Sequence, residues 1–154
     1  MMADLTLTPA FDMHLNVKMP LTNLGKTPYG DRLIAEVTGG EVTGPMLSGK
    51  IHAGGGDWLL LRNDGVMQLD VRLTIEADDG GLIYVTYRGM RHGPKDVMDR
   101  MAKGEPVDPS EYYFKMAPIF ETSAGPHDWL NKNLFVANGV RNPAGPTYHV
   151  FLIE

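Results

Sequence analysis

Hydrophobic and polar residues alternate most cleanly over Met67–Ala77. Met67, Leu69, Val71, Leu73 and Ile75 share one face, and Gln68, Asp70, Arg72, Thr74 and Glu76 the other. A period of two marks a strand with one buried face. The same period runs more loosely through residues 5–15. It returns over 32–37, where Leu33, Ala35 and Val37 oppose Arg32 and Glu36 and only Ile34 breaks the pattern. Residues 48–53, 58–62, 82–88, 112–122, 134–138 and 148–153 add short runs that suit strands. Asp79-Gly80 predicts the hairpin turn between Met67–Ala77 and the next strand. Gly39-Gly40 and Gly44-Pro45 read as turns, and 24–31 as a loop. Pro118 predicts a bend or an edge position inside its strand. The best helix is 94–103, with Pro94 in its first turn, Asp96 at its positive end and Gly104 as its stop. Residues 127–133 suit one or two helical turns. About eight to ten short strands and one short helix predict a mainly β fold, a meandering antiparallel barrel.

Composition sharpens this picture. The 154 residues suit one domain, 1–154, with a real core. The 18 glycines and 11 prolines are spread along the chain, which marks many turns rather than a linker. A net charge of -5 argues against nucleic acid or an anionic membrane as partner. No cysteine is present, which excludes disulfides, thiolate metal sites and cysteine nucleophiles and fits a cytoplasmic location. No secretory signal pattern or membrane-length apolar run is visible.

The chemistry-bearing candidates are few. Gly54-Gly55-Gly56-Asp57-Trp58 opens a strand; the glycines would let backbone crowd a ligand, or Asp57 simply caps the turn and Trp58 packs. Asp70 and Arg72 share the polar face of Met67–Ala77. They are a weak surface pair if that face meets solvent, and an anion-binding pair if it meets a cavity. Glu121 lies between Phe120 and Thr122 after Pro118. In an aromatic, water-poor pocket it would be a proton donor; otherwise it is an exposed strand glutamate. Tyr84, Tyr87, Tyr112 and Tyr113 offer hydroxyls. The five histidines form no metal-binding spacing, and no hydrolase elbow, dinucleotide fingerprint or P-loop occurs.

Several blocks extend across nearly the whole chain: Gly30-Asp31-Arg32, Gly39-Gly40 with Gly44-Pro45 and Gly49, Gly54-Gly55-Gly56-Asp57-Trp58, Asp64-Gly65, and Leu69-Asp70-Val71-Arg72. Asp79-Gly80 with Leu82-Ile83-Tyr84-Val85, Tyr113-Phe114, Phe120-Glu121-Thr122 and Trp129-Leu130-Asn131 continue the series. In this order they resemble the DUF3237 family, also called UPF0311. The resemblance implies a calycin-like antiparallel β-barrel able to hold one small ligand. It also implies, as an expectation, cofactor-free chemistry on a small aromatic acid.

The concrete expectation is a cofactor-independent lyase, such as a decarboxylase, or an isomerase acting on a phenolic acid. Glu121, Arg72 and Tyr113 are the expected catalytic residues: Glu121 donates the proton, with Asp57 and Asp70 as alternates, and Arg72 holds the phenolate end with Tyr113 or Tyr87 beside it. Asp57, Trp58, Asp70, Tyr87 and Trp129 are the expected substrate-binding residues, with no metal and no cofactor. Two other readings are open. One is a binding barrel without turnover, and the other an interaction protein that uses its apolar strand face. A homodimer or higher homo-oligomer is compatible with each.

Overall fold

A computed structural model describes residues 2–154. Its ten strands are β1 (Leu7–Val17), β2 (Thr22–Thr27), β3 (Gly30–Thr43), β4 (Gly49–Ile51), β5 (Gly55–Leu61), β6 (Met67–Ala77), β7 (Leu82–His92), β8 (Tyr113–Thr122), β9 (Phe135–Val140) and β10 (Thr147–Ile153). All pairings are antiparallel, and β1 joins both β10 and β3, which closes the sheet. β1 and β2 lie along one edge of β3, while β4 and β5 share the gap between β3 and β6, so the ten strands form a closed eight-stranded barrel. One helix, α1 (Lys95–Ala102), follows β7 and buries Val97 and Met101. Among the described residues, no helix is long and apolar enough to cross a membrane.

The alternation along β6 sets its orientation. Leu69, Val71, Leu73 and Ile75 point into the barrel and are buried, and Asp70 and Arg72 face out. Each such aliphatic side chain contributes about 1.5–3 kcal/mol when shut off from water. Two charges turned inward would instead need partners to offset their desolvation. The interior therefore takes the apolar face, which rules out that face as an oligomer interface.

The interior divides into two ends. Phe11, Phe120 and Phe135 fill the end where β1 starts and β8 finishes. Their rings pack edge-on or tilted, with centroids 4.9 to 6.5 Å apart. Trp129, in a short 3-10 segment (Asp128–Lys132), packs edge-on against Phe135 at the same end. The opposite end, where β1 finishes and β6 and β8 begin, is incompletely filled.

Of three local expectations, two differ from the structure and the edge position of Pro118 holds. The expected loop 24–31 is mostly strand, since β2 pairs with β3 through Lys26 and Thr27. Gly39-Gly40 is no turn but the middle of β3. A Cβ on Gly40 would run into the His14 carbonyl of the crossing strand, so glycine is required for closeness. Pro118 sits where β8 has parted from β9, whose pairing is confined to Lys115 and Met116, so its missing N–H breaks no ladder bond on that side.

Candidate active site

A cavity of about 190 Å³ occupies the incompletely filled end. Leu15, Val37, Leu59, Leu69 and Phe114 make it largely apolar, and Asp57, Tyr87, Arg91, Arg141 and Tyr148 are its ionisable wall. Its mouth lies at exposed Met19 and the segment 142–144.

Asp57 enters the wall through a flaw in the sheet. β5 stays paired with β3 throughout, but between Asp57–Val71 and Leu60–Gln68 its ladder with β6 is interrupted. Asp57 Oδ1 accepts the Asp70 N–H there at 3.0 Å, so the side chain replaces a ladder carbonyl. The preceding glycines serve this approach rather than a ligand: a Cβ on Gly55 would sit 2.6 Å from the Arg72 carbonyl. Burial pushes the Asp57 carboxyl up to about 7, against the lowering effect of the Asp70 N–H and of Arg91.

Tyr87 and Arg91 come from the inward face of β7, in phase with Ile83 and Val85. The Tyr87 hydroxyl is buried and, among the described residues, has no hydrogen-bond partner. Burial raises its pKa well above the usual tyrosine value, and its neighbour Tyr148 adds to that. The two rings meet edge-on at 5.2 Å, and burial raises Tyr148 as well. The Arg91 guanidinium lies 5.8 Å from the centre of the Phe114 ring, and its buried Nε is also unpartnered among the described residues. Burial, then the neighbouring Arg141 charge, lower its pKa.

Arg141 follows β9 and is tied through its backbone: its N–H donates to the Tyr112 hydroxyl at 3.1 Å. Tyr112 is in turn fixed by the capped turn before it, where Asp108 and Glu111 cap each other's backbone and Glu111 accepts from Arg100 at 2.9 Å. Past Arg141, the segment returns to β1, with Val17 N–H on the Ala144 carbonyl and Leu15 N–H on the Pro146 carbonyl, both at 3.0 Å. Neither Arg91 nor Arg141 forms an ion pair among the described residues. Two cations, a carboxyl and an unpaired hydroxyl thus share one small apolar space. That set can hold an anion and exchange a proton with it.

The residues expected from sequence divide sharply. Asp57 and Tyr87 stand in the cavity wall. The rest do not. Period two on β8 sends Phe114, Met116 and Phe120 inward, so Tyr113 and Glu121 face out. Tyr113 stacks on His92 at 4.8 Å, and Glu121 is exposed to water instead of enclosed by aromatics. Arg72 is exposed on the outer face of β6. The Asp70 carboxylate lies 4.0 Å from Arg88 outside the barrel, and only its backbone reaches Asp57. Trp58 is 42% exposed on the outer surface, and Trp129 belongs to the phenylalanine end. Arg91, Arg141 and Tyr148 were not anticipated. Extending the alternation of Ile83, Val85 and Tyr87 past Arg88 would have found Arg91, and that of Val150 and Leu152 backwards would have found Tyr148. Arg141 has no local signal.

The histidines have other employment. His52 pairs with Glu76, His127 with Asp79 and His149 with Asp12, at 2.8 to 3.0 Å; His14 bonds Thr147 at 2.8 Å.

The profile of the family described as "Protein of unknown function (DUF3237)" matches residues 5–153, and the chain belongs to that family. A UPF0311 protein of Rhodopseudomonas palustris (strain TIE-1) is 36% identical over 122 residues, 79% of this chain and 80% of that one. The crystal structure of a conserved protein of unknown function from the same species superposes with a TM-score of 0.92 at 31% identity, covering 100% of both chains. The crystal structure of an enzyme from Penicillium herquei, at 20% identity and a TM-score of 0.71, covers 98% of this chain and 94% of its own and shares the fold.

Proposed function

We propose that this DUF3237 barrel is a cofactor-free lyase or isomerase for a small aromatic acid, with the cavity as its active site and Asp57 as its proton-transfer group. The observation that carries the reading is the unspent hydrogen-bonding capacity of the wall: among the described residues, the Tyr87 hydroxyl and Arg91 Nε are buried without partners. Buried polar groups in native proteins are normally satisfied, and a ligand oxygen would satisfy these. Size selects the ligand. An apolar cavity of about 150 Å³ accepts benzene, so about 190 Å³ takes one substituted ring whose tail reaches the open mouth.

Decarboxylation of a para-hydroxycinnamate-like acid shows what each group would do. Arg91, Arg141 and Tyr87 face the phenolate oxygen and stabilise its charge; the phenol proton leaves to solvent. Phenolate electrons move through the ring, and the carbon bearing the carboxylate takes the Asp57 proton, giving a quinone methide. The bond to the carboxylate then breaks, carbon dioxide leaves, and the electron pair restores the phenolate. Asp57 regains a proton from water. A carboxyl titrating near 7 is well matched to this duty. Holding the carboxylate with the arginines would stabilise the ground state instead and oppose its loss.

The bond from Asp70 N–H to Asp57 favours a second reading: a binding barrel in which Asp57 serves the sheet and no bond is broken. An ultraviolet time course separates the two. Purified protein is mixed with para-hydroxylated cinnamic and related aromatic acids, with no cofactor added. Loss of the acid chromophore with release of carbon dioxide, abolished by Asp57→Asn, supports the lyase. Thermal stabilisation without any spectral change supports the binder.

A further inference from the structure

The two arginines and Asp57 raise a question of charge that the lyase reading leaves open. Arg91 and Arg141 are close enough to depress the Arg91 pKa, yet neither is neutralised by an ion pair among the described residues. Among the described residues, the only carboxyl in the cavity wall is Asp57, and one of its oxygens is already occupied by Asp70 N–H. A monoanion entering this space relieves the repulsion between the guanidiniums. It also lies against the Asp57 carboxyl, because the cavity is only about 7 Å across if taken as a sphere, within the range at which charges interact strongly.

We infer that the cavity takes up its aromatic anion together with a proton, the anion pairing with Arg91 and Arg141 and the proton settling on Asp57. This rests on the cavity being the aromatic-acid site proposed above, and it supplies what that reading needs, since the incoming anion loads Asp57 with the proton the carbon then receives.

The surroundings of Asp57 leave few competitors for that proton. β7 presents Tyr87 and Arg91, β10 presents Tyr148, and the mouth segment presents Arg141. From β6 comes the Asp70 backbone, whose carboxylate lies outside with Arg88. From β3 the neighbour is Ala35, which is uncharged. Burial holds both tyrosines in their protonated form near neutrality. Asp57 is the one group in the wall that changes charge there. A second negative charge at the separation above lowers its acid dissociation constant by more than about tenfold. The proton taken up is therefore expected at pH 7.5, where the free carboxyl is mostly ionised, and little uptake at pH 5.5, where it is already protonated.

Isothermal titration with benzoate tests this, its carboxylate standing in for the phenolate oxygen. At pH 7.5 the binding enthalpies in phosphate and in Tris should differ by an amount equal to uptake of most of one proton, and at pH 5.5 they should agree. Asp57→Asn keeps the acceptor for Asp70 N–H; it should bind benzoate with no buffer dependence. Arg141→Ala should weaken binding at least about tenfold. Equal enthalpies in both buffers at pH 7.5, proton release, or uptake that persists in Asp57→Asn would overturn the inference. Failure to bind benzoate at millimolar concentration would overturn it too. The lyase reading fails separately: proton-coupled benzoate binding without consumption of any aromatic acid removes the reaction and keeps the coupling. Turnover without proton uptake does the reverse.

Discussion

Replacing Asp57 by asparagine should make the protein more stable, and increasingly so as the pH rises. The folded carboxyl titrates at about 7 and the unfolded one at its ordinary 3.8. The sign follows from which state holds more protons. Below 3.8 both are protonated and the shift costs nothing. From there to about 7 the unfolded chain releases its proton first, so stability falls with rising pH; above about 7 the full cost is present. Each pH step in that window is worth about 1.4 kcal/mol. Between pH 5 and pH 8 the cost therefore grows by about 2.7 kcal/mol, taken as an upper figure because the cavity mouth admits water. Asparagine removes the titration and keeps the oxygen that accepts Asp70 N–H. Urea unfolding of both proteins at pH 5 and pH 8 measures this. With a slope of about 1–3 kcal/mol/M, the gap between the midpoints should widen by roughly 1–3 M over that range. A gap that is the same at both pH values, or a variant less stable at pH 8, would refute the reasoning. Stabilisation with loss of turnover would mark a residue kept for chemistry at a cost to the fold.

Other consequences follow from the same geometry. Tyr87→Phe removes a buried hydroxyl without a partner; urea unfolding should show unchanged stability or a gain of up to about 1 kcal/mol, while affinity for benzoate falls. Arg72→Ala and Glu121→Gln, both on the outer surface, should each change stability by less than about 0.5 kcal/mol and leave aromatic-acid turnover at the wild-type rate. Gly40→Ala should lower stability by about 1–3 kcal/mol in thermal or urea unfolding, because its Cβ would collide with the His14 carbonyl and backbone must move.

The barrel was legible in the chain because closure asks for little beyond what single strands record. Alternation over Met67–Ala77 marks both the strand and its inward face, and Asp79-Gly80 marks the turn that follows. Where strands cross, the local signal misleads: Gly39-Gly40 has the composition of a turn and the role of a close contact between β1 and β3. The site was less legible for a related reason. Asp70, Arg72 and Glu121 drew attention as charges inside strands, yet a half-buried strand is expected to carry charges on its wet face. The informative charges stand in phase with apolar residues. Arg91 continues the inward series of β7, and Asp57 occupies the same face of β5 as Leu59. Arg141 reaches the cavity only through the path of the 141–146 segment and its tie to Tyr112, a tertiary arrangement with no periodic trace.

The most direct test of the central claim is the pH dependence of para-hydroxycinnamate consumption by the wild-type protein, followed at the acid chromophore from pH 5 to pH 9. With the phenol held ionised by the two arginines in the complex, an acid that must be protonated to act predicts a rate that falls tenfold per pH unit above the Asp57 midpoint. In the substrate complex that midpoint lies above the value of about 7 for the free site, and in Asp57→Asn there should be no rate to follow. Turnover that persists undiminished in Asp57→Asn would contradict the account, as would tight binding of the acid with no consumption at any pH.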